Sequence, residues 1–166
     1  MTAFASASEG TLALPRLSRE RRYLHPGHLF VTANPTAITT VLGSCVAVCL
    51  WDPQTRVGGM NHFILPHVAA GGAASPRFGN IAMEQLVANV RGASGRLPFL
   101  RARIFGGACM FEHFRSSEHL GQQNATLAID YLSRRGIEVV QVDVGGNRGR
   151  KLVFHTDEGT ACLTMI

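Results

Sequence analysis

Apolar and polar positions along this chain change their period from segment to segment, and the changes mark its elements. From Asn80 to Arg91, Met83, Leu86, Val87 and Val90 recur at i, i+3, i+4 and i+7, which predicts a helix with one apolar stripe and Gly92 as its stop. A second helix is expected over Leu120–Arg135, with Ala125, Ala128, Ile129 and Leu132 at helical spacing and Gly136 just beyond it. Elsewhere the apolar runs are short, rich in β-branched or aromatic residues and bounded by turn signals, as strands are.

Leu29–Thr32 reads as a strand ended by Asn34-Pro35. Ala37–Val41 is the next. Gly43-Ser44 interrupts it, and Val46–Trp51 continues extended. Asp52-Pro53-Gln54-Thr55 has turn chemistry, so Val46–Trp51 and Arg56–Leu65 are expected to form a hairpin. Phe99–Phe105 and Ile137–Val144 are further strands, and Val139–Val144, apolar at most positions, is expected to lie between layers. Lys151–His155 and Thr160–Met165 form a last hairpin. The fold class expected is α+β or mixed α/β: a single-domain layered sandwich of largely antiparallel strands with two main helices. Residues 1–22 read as a flexible basic arm and 23–166 as the domain.

Composition narrows this picture in three ways. At 46% hydrophobic and 16% charged over 166 residues the chain is globular and large enough to bury a core without covalent staples. No apolar run is long enough to span a membrane, and no secretory leader is recognisable, so the expected location is the cytoplasm with reduced thiols. The four cysteines, Cys45, Cys49, Cys109 and Cys162, are not spaced as a zinc or redox motif, and the histidines are scattered, so neither a metal nor another cofactor is expected. The formal charge is +5, carried by arginine except for Lys151, and densest at Arg16, Arg19, Arg21 and Arg22. Such a surface suits an acidic protein partner, nucleic acid or anionic lipid, or is simply a solvated basic arm. Without interleaved aromatic residues it does not point to nucleic acid.

The candidate chemistry sits in the hairpin. Cys45 follows the Gly43-Ser44 turn, where backbone N–H groups can face a cleft and hold an oxyanion. If the hairpin loop is the four residues Asp52–Thr55, Trp51 faces Arg56 and Cys45 faces His62, with Cβ atoms about 4.5–5.5 Å apart. A loop one residue longer spoils the facing unless a bulge restores it. A cysteine nucleophile needs a base and a group to orient that base; Cys45, His62 and a threonine at the end of the preceding strand supply those types. The bland alternative for Cys45 is a packed structural thiol, which is the reading given to Cys49. Gly106-Gly107 reads as a strand-end turn that also has the freedom to let a substrate backbone approach, and Met110, Phe111 and Phe114 are either an apolar docking surface or core.

Thr39-Thr40-Val41-Leu42-Gly43-Ser44-Cys45-Val46-Ala47-Val48 and Gly59-Met60-Asn61-His62-Phe63-Ile64-Leu65-Pro66 resemble the active-site signature of the CheD family of chemoreceptor glutamine deamidases. Ile104-Phe105-Gly106-Gly107-Ala108, Met110-Phe111, Gly121, Asn124 and Asp143–Arg150 extend the resemblance from about Leu24 to Phe154. It implies hydrolysis of glutamine side-chain amides on chemoreceptor cytoplasmic helices, with Cys45 as nucleophile and His62 as base. Motif position makes Thr39 the third member. Thr40 is one residue away, and strand alternation allows only one of the two to serve. A CheC-type phosphatase is the implied partner, and glutamyl methylesterase activity an implied side reaction. An adaptor that binds the same partners without catalysis is the alternative.

Overall fold

A computed structural model describes residues 18–95, 99–110 and 119–166. Its strands are β1 (Glu20–Tyr23), β2 (His28–Thr32), β3 (Thr36–Leu42), β4 (Val46–Trp51), β5 (Gly58–Phe63), β6 (Arg101–Gly106), β7 (Glu138–Val144), β8 (Arg150–His155) and β9 (Thr160–Met165), with helices α1 (Gly79–Ser94) and α2 (Leu120–Arg134). Two sheets form, in the orders β1-β3-β8-β9 and β2-β5-β4-β6-β7. All neighbours are antiparallel except β1–β3 and β6–β7. The fold is α+β, mostly β, as its pattern predicts.

Every residue of β4 is buried, which accounts for its unbroken apolar run. Val46, Val48 and Leu50 face the helices and pack with Met83, Leu86, Val90, Ala128 and Leu132. Ala47, Cys49 and Trp51 face the other sheet and pack with Ile38, Leu42, Leu152 and Phe154. The layers are therefore helices, five-stranded sheet, four-stranded sheet. Each fully buried large apolar side chain contributes about 1.5–3 kcal/mol, so the α1 stripe outweighs the helix's modest propensity. Cys49 is fully buried in the inter-sheet core, where its sequence places it.

The crossing between sheets occurs at the turn before Cys45. β3 lies in the four-stranded sheet and β4 in the five-stranded one, so Gly43-Ser44-Cys45 carries the chain from one layer to the other. It does not simply continue an extended run.

Four expectations are corrected. The β4–β5 ladder pairs Trp51 with Gly58 and Ala47 with His62, so the loop is six residues and not four. Asp52 causes this: its carboxylate accepts from Gln54 N–H at 3.0 Å and from the Thr55 hydroxyl at 2.8 Å, while Arg56 N–H donates to its carbonyl at 2.8 Å. Arg56 takes φ 60° to close the turn. Helix α1 runs past Gly92 to Ser94 and ends where Gly95 adopts φ 67°; a glycine on an exposed face costs only about 1 kcal/mol against alanine and need not end a helix. Strand β7 is an edge strand, not a layer-buried one: Val140 and Val142 are exposed while Val139 and Val144 pack toward the helices. Finally, Glu20–Arg22 of the expected arm belong to β1, paired with β3, and Arg19 is held by Asp157 at 2.9 Å and by Glu158. Residues 1–17 lie outside the described residues.

Candidate active site

His62 is the inward-facing residue near the end of β5, in phase with the buried Met60 and only 1% exposed. Across the inter-sheet space its Nδ1 meets Thr40 Oγ1 at 2.8 Å. Thr40 is fully buried and shares the inward phase of β3 with Ile38 and Leu42. Thr39 has the opposite phase; its backbone carbonyl accepts from Leu24 N–H at 2.8 Å. The hydroxyl beside the histidine is thus that of Thr40, which corrects the position-based choice of Thr39. The signal was present in the sequence, because Ile38 and Leu42 are apolar two residues either side of Thr40 and mark the core phase.

The hydrogen bonds also define the tautomer. Thr40 Oγ1 lies 2.7 Å from the Leu24 carbonyl oxygen, which can only accept. The single hydroxyl hydrogen goes there, so Oγ1 accepts from Nδ1–H of His62. Nε2 then carries the lone pair. It is buried and has no hydrogen-bond partner among the described residues. Burial also lowers the His62 pKa to about 4, so the imidazole is neutral at pH 7.

Cys45 stands one step beyond the β4–β5 ladder. Ala47, not Cys45, is opposite His62. The loop differs from the four-residue expectation by two residues, which preserves parity, so Cys45 keeps the same face as His62 and becomes its diagonal neighbour. Diagonal pairs are about 7–8 Å apart at Cα and closer between side chains. Cys45 is half-buried and packs against the inter-sheet core. Burial raises its thiol pKa, and its own backbone N–H opposes this more weakly. Burial of each group thus favours a neutral thiol beside a neutral imidazole.

Around Cys45 the backbone is pinned from outside. The carbonyl of Gly43 accepts from Ala108 N–H at 2.9 Å and that of Cys45 from Gly107 N–H at 2.8 Å. Gly106 has φ 111°, and a Cβ there would run into the Cys45 carbonyl oxygen. Gly106 and Gly107 are both buried. The room these glycines make is filled by the chain's own turn, which corrects their reading as a substrate approach. Met110 is 48% exposed and flanks Gly43, while Phe111 and Phe114 lie outside the described residues.

Sequence reasoning assigned no role to two buried amides. Asn61 Oδ1 accepts from Val48 N–H at 2.9 Å and stiffens the β4–β5 pair. Asn124, in the buried stripe of α2, donates to the carbonyls of Ser44 and Ile64 at 3.1 and 2.8 Å. Each is a polar residue at a core phase, which is the sequence signal for such a brace. One cleft of about 680 Å³ lies along α2 beside Pro66, His67 and Asn80, and takes in none of Cys45, His62 or Thr40. Among the described residues no three His, Cys, Asp or Glu side chains converge as metal ligands do.

Comparison with known proteins decides the family. Residues 64–165 match the model of CheD, described as chemotactic sensory transduction. The chain belongs to the CheD family. Among curated CheD proteins, the probable chemoreceptor glutamine deamidase CheD 1 of Anaeromyxobacter dehalogenans is 54% identical over 149 residues, covering 89% of this chain and 86% of that protein. The probable chemoreceptor glutamine deamidase CheD of Trichlorobacter lovleyi is 44% identical over 141 residues, covering 85% and 88%. That of Sulfurimonas denitrificans is 38% identical over 149 residues, covering 89% and 95%. The CheD model match begins two residues after His62, so the Cys45–His62–Thr40 cluster rests on geometry.

Proposed function

We propose that this CheD-family chain is a protein-glutamine deamidase that converts glutamine side chains of chemoreceptor cytoplasmic helices to glutamate, releasing ammonia. The observation that carries the mechanism is the buried His62, whose Nδ1–H is held by Thr40 and whose free Nε2 shares a face with Cys45. Family membership and the names of the relatives support the substrate.

The steps follow from these positions. His62 Nε2 takes the Cys45 proton as sulfur attacks the glutamine Cδ. The carbonyl electron pair moves to oxygen, and the backbone N–H of Cys45 receives that charge. Burial holds both groups neutral until substrate arrives, so proton transfer accompanies attack. Imidazolium protonates the leaving nitrogen, and ammonia departs. Water, deprotonated by Nε2, then hydrolyses the thioester to glutamate and restores the thiol. General acid–base assistance of this kind is typically worth about 10²–10⁴-fold. A glutamyl methyl ester would pass through the same acyl-enzyme, which makes methylesterase activity a secondary expectation.

The exposed Met110 beside Gly43 is the described apolar residue best placed to touch a helical substrate at the site. The arginine excess suits acidic surfaces on receptors, and a CheC-type phosphatase is the second partner class proposed. No described helix is long and apolar enough to cross a membrane. The test is incubation of a receptor cytoplasmic fragment with wild type and with Cys45→Ala, followed by mass spectrometric mapping. Gln-to-Glu conversion by the wild type alone is expected, and equal conversion in both samples would sink the assignment.

A further inference from the structure

Asn124 holds two carbonyls that belong to different parts of the site. Its Nδ2 donates to Ser44 O, in the turn that carries the nucleophile, and to Ile64 O, just past the strand that carries His62. Both partners are acceptors, so the amide nitrogen and not the oxygen must face them. The other end of the amide, Oδ1, is buried with no hydrogen-bond partner among the described residues. An unsatisfied buried acceptor costs free energy. An apolar side chain would fill this place on α2 without that cost, so packing alone does not explain an asparagine here.

The consequence lies in the Ser44–Cys45 peptide. No peptide among the described residues is cis, so the Ser44 carbonyl and the Cys45 N–H point in opposite directions. Pinning the carbonyl on Asn124 turns the N–H to the side away from α2. The flanking carbonyls, Gly43 O and Cys45 O, are tied by Ala108 and Gly107 N–H groups, so the turn as a whole is prevented from flipping. The middle peptide depends on a side chain.

We infer that Asn124 is a positioning residue for the oxyanion-binding N–H of Cys45, acting through the Ser44–Cys45 peptide and tying that peptide to the strand end that carries His62. The inference rests on the cysteine-nucleophile reading above. It does not depend on which glutamine, or which protein, is the substrate.

Two reactions of Cys45 separate this role from general support. In acylation by p-nitrophenyl acetate, sulfur bonds to the carbonyl carbon, the π pair goes to oxygen, and p-nitrophenolate leaves as the carbonyl re-forms. In alkylation by iodoacetamide, sulfur bonds to the methylene carbon and iodide leaves directly. The thiol proton goes to His62 in both, but only the first develops an oxyanion. Rates at Cys45 are read by peptide mapping for wild type, Asn124→Ala and the near-isosteric Asn124→Asp, each below its own melting temperature. Loss of an oxyanion donor costs about 10²–10³-fold, and misplacing one is expected to cost at least about tenfold. The acylation-to-alkylation ratio should therefore fall about tenfold or more in both variants, with the alkylation rate within about threefold of wild type.

An unchanged ratio overturns the inference. So does parallel loss of both reactions, or failure of both variants to fold, since Asn124 would then be supporting the fold and not the peptide. Receptor-fragment deamidation by the wild type is measured alongside. If the wild type deamidates nothing while the ratio still falls, the deamidase reading fails and the role of Asn124 stands.

Discussion

Thr40 donates its one hydroxyl hydrogen to the Leu24 carbonyl at 2.7 Å and accepts from His62 Nδ1 at 2.8 Å. This relay couples the β1–β2 connection, the four-stranded sheet and the five-stranded sheet at one imidazole. It sets which histidine nitrogen is free, and it separates the two adjacent threonines by what their side chains hold.

Thr40→Val removes a buried hydrogen-bonding group at almost constant volume. It leaves Nδ1 and the Leu24 carbonyl without their partner, at a cost of about 1–3 kcal/mol. Deamidation by Thr40→Val should drop about ten- to a hundredfold, and its urea midpoint should fall. Thr39→Val, changing the outward phase of β3, should stay within about threefold of wild type in the same assay.

The pH dependence follows from burial of His62. Its folded pKa is lowered from 6.5 to about 4. Above about pH 6.5 both folded and unfolded states hold the neutral ring, and the group does not alter stability. As pH falls from 6.5 toward 4 the unfolded state binds a proton that the folded state refuses, so stability decreases, by about 3 kcal/mol in total. The difference in unfolding free energy between wild type and His62→Asn should carry this slope and level off below about pH 4. In activity, the acid limb of kcat/KM should fall near pH 4 and not near 6.5, because the base stays unprotonated.

Thiol reactivity distinguishes the resting states. Burial raises the Cys45 pKa, so at pH 7.5 the free enzyme should alkylate slowly at Cys45, with Cys162, which is exposed, reacting first. Time-resolved iodoacetamide labelling with peptide mapping reads this order. Preferential labelling of Cys45 at neutral pH would instead indicate a thiolate–imidazolium pair.

Gly106→Ala tests the packing behind the nucleophile. At φ 111° an L side chain is strained, and its Cβ would occupy the place of the Cys45 carbonyl oxygen. The substitution should destabilise the fold by more than about 2 kcal/mol and depress deamidation beyond what the stability loss explains, because Cys45 itself must move. Calorimetry and the receptor-fragment assay together check this.

Much of the molecule was legible in the chain alone, because what was legible is local. The α1 stripe, the two-residue alternation of β3 to β5, the Asp52 turn and the final hairpin follow from period and turn chemistry over ten or so residues. That Cys45 and His62 share a face was expected only for a four-residue loop, and it survives because the actual loop is longer by two residues, which preserves parity. Only the tertiary structure decided the rest. The loop length depended on the Asp52 carboxylate capturing Gln54 and Thr55, a side-chain choice that periodicity does not register. The assignment of β3 and β4 to different sheets, the edge position of β7, and the meeting of Thr40 with His62 all depend on contacts between distant segments. Alternation says which residues share a face. Which sheet that face meets is set by packing between layers, and that is what turned two neighbouring threonines into one that holds the histidine and one that does not.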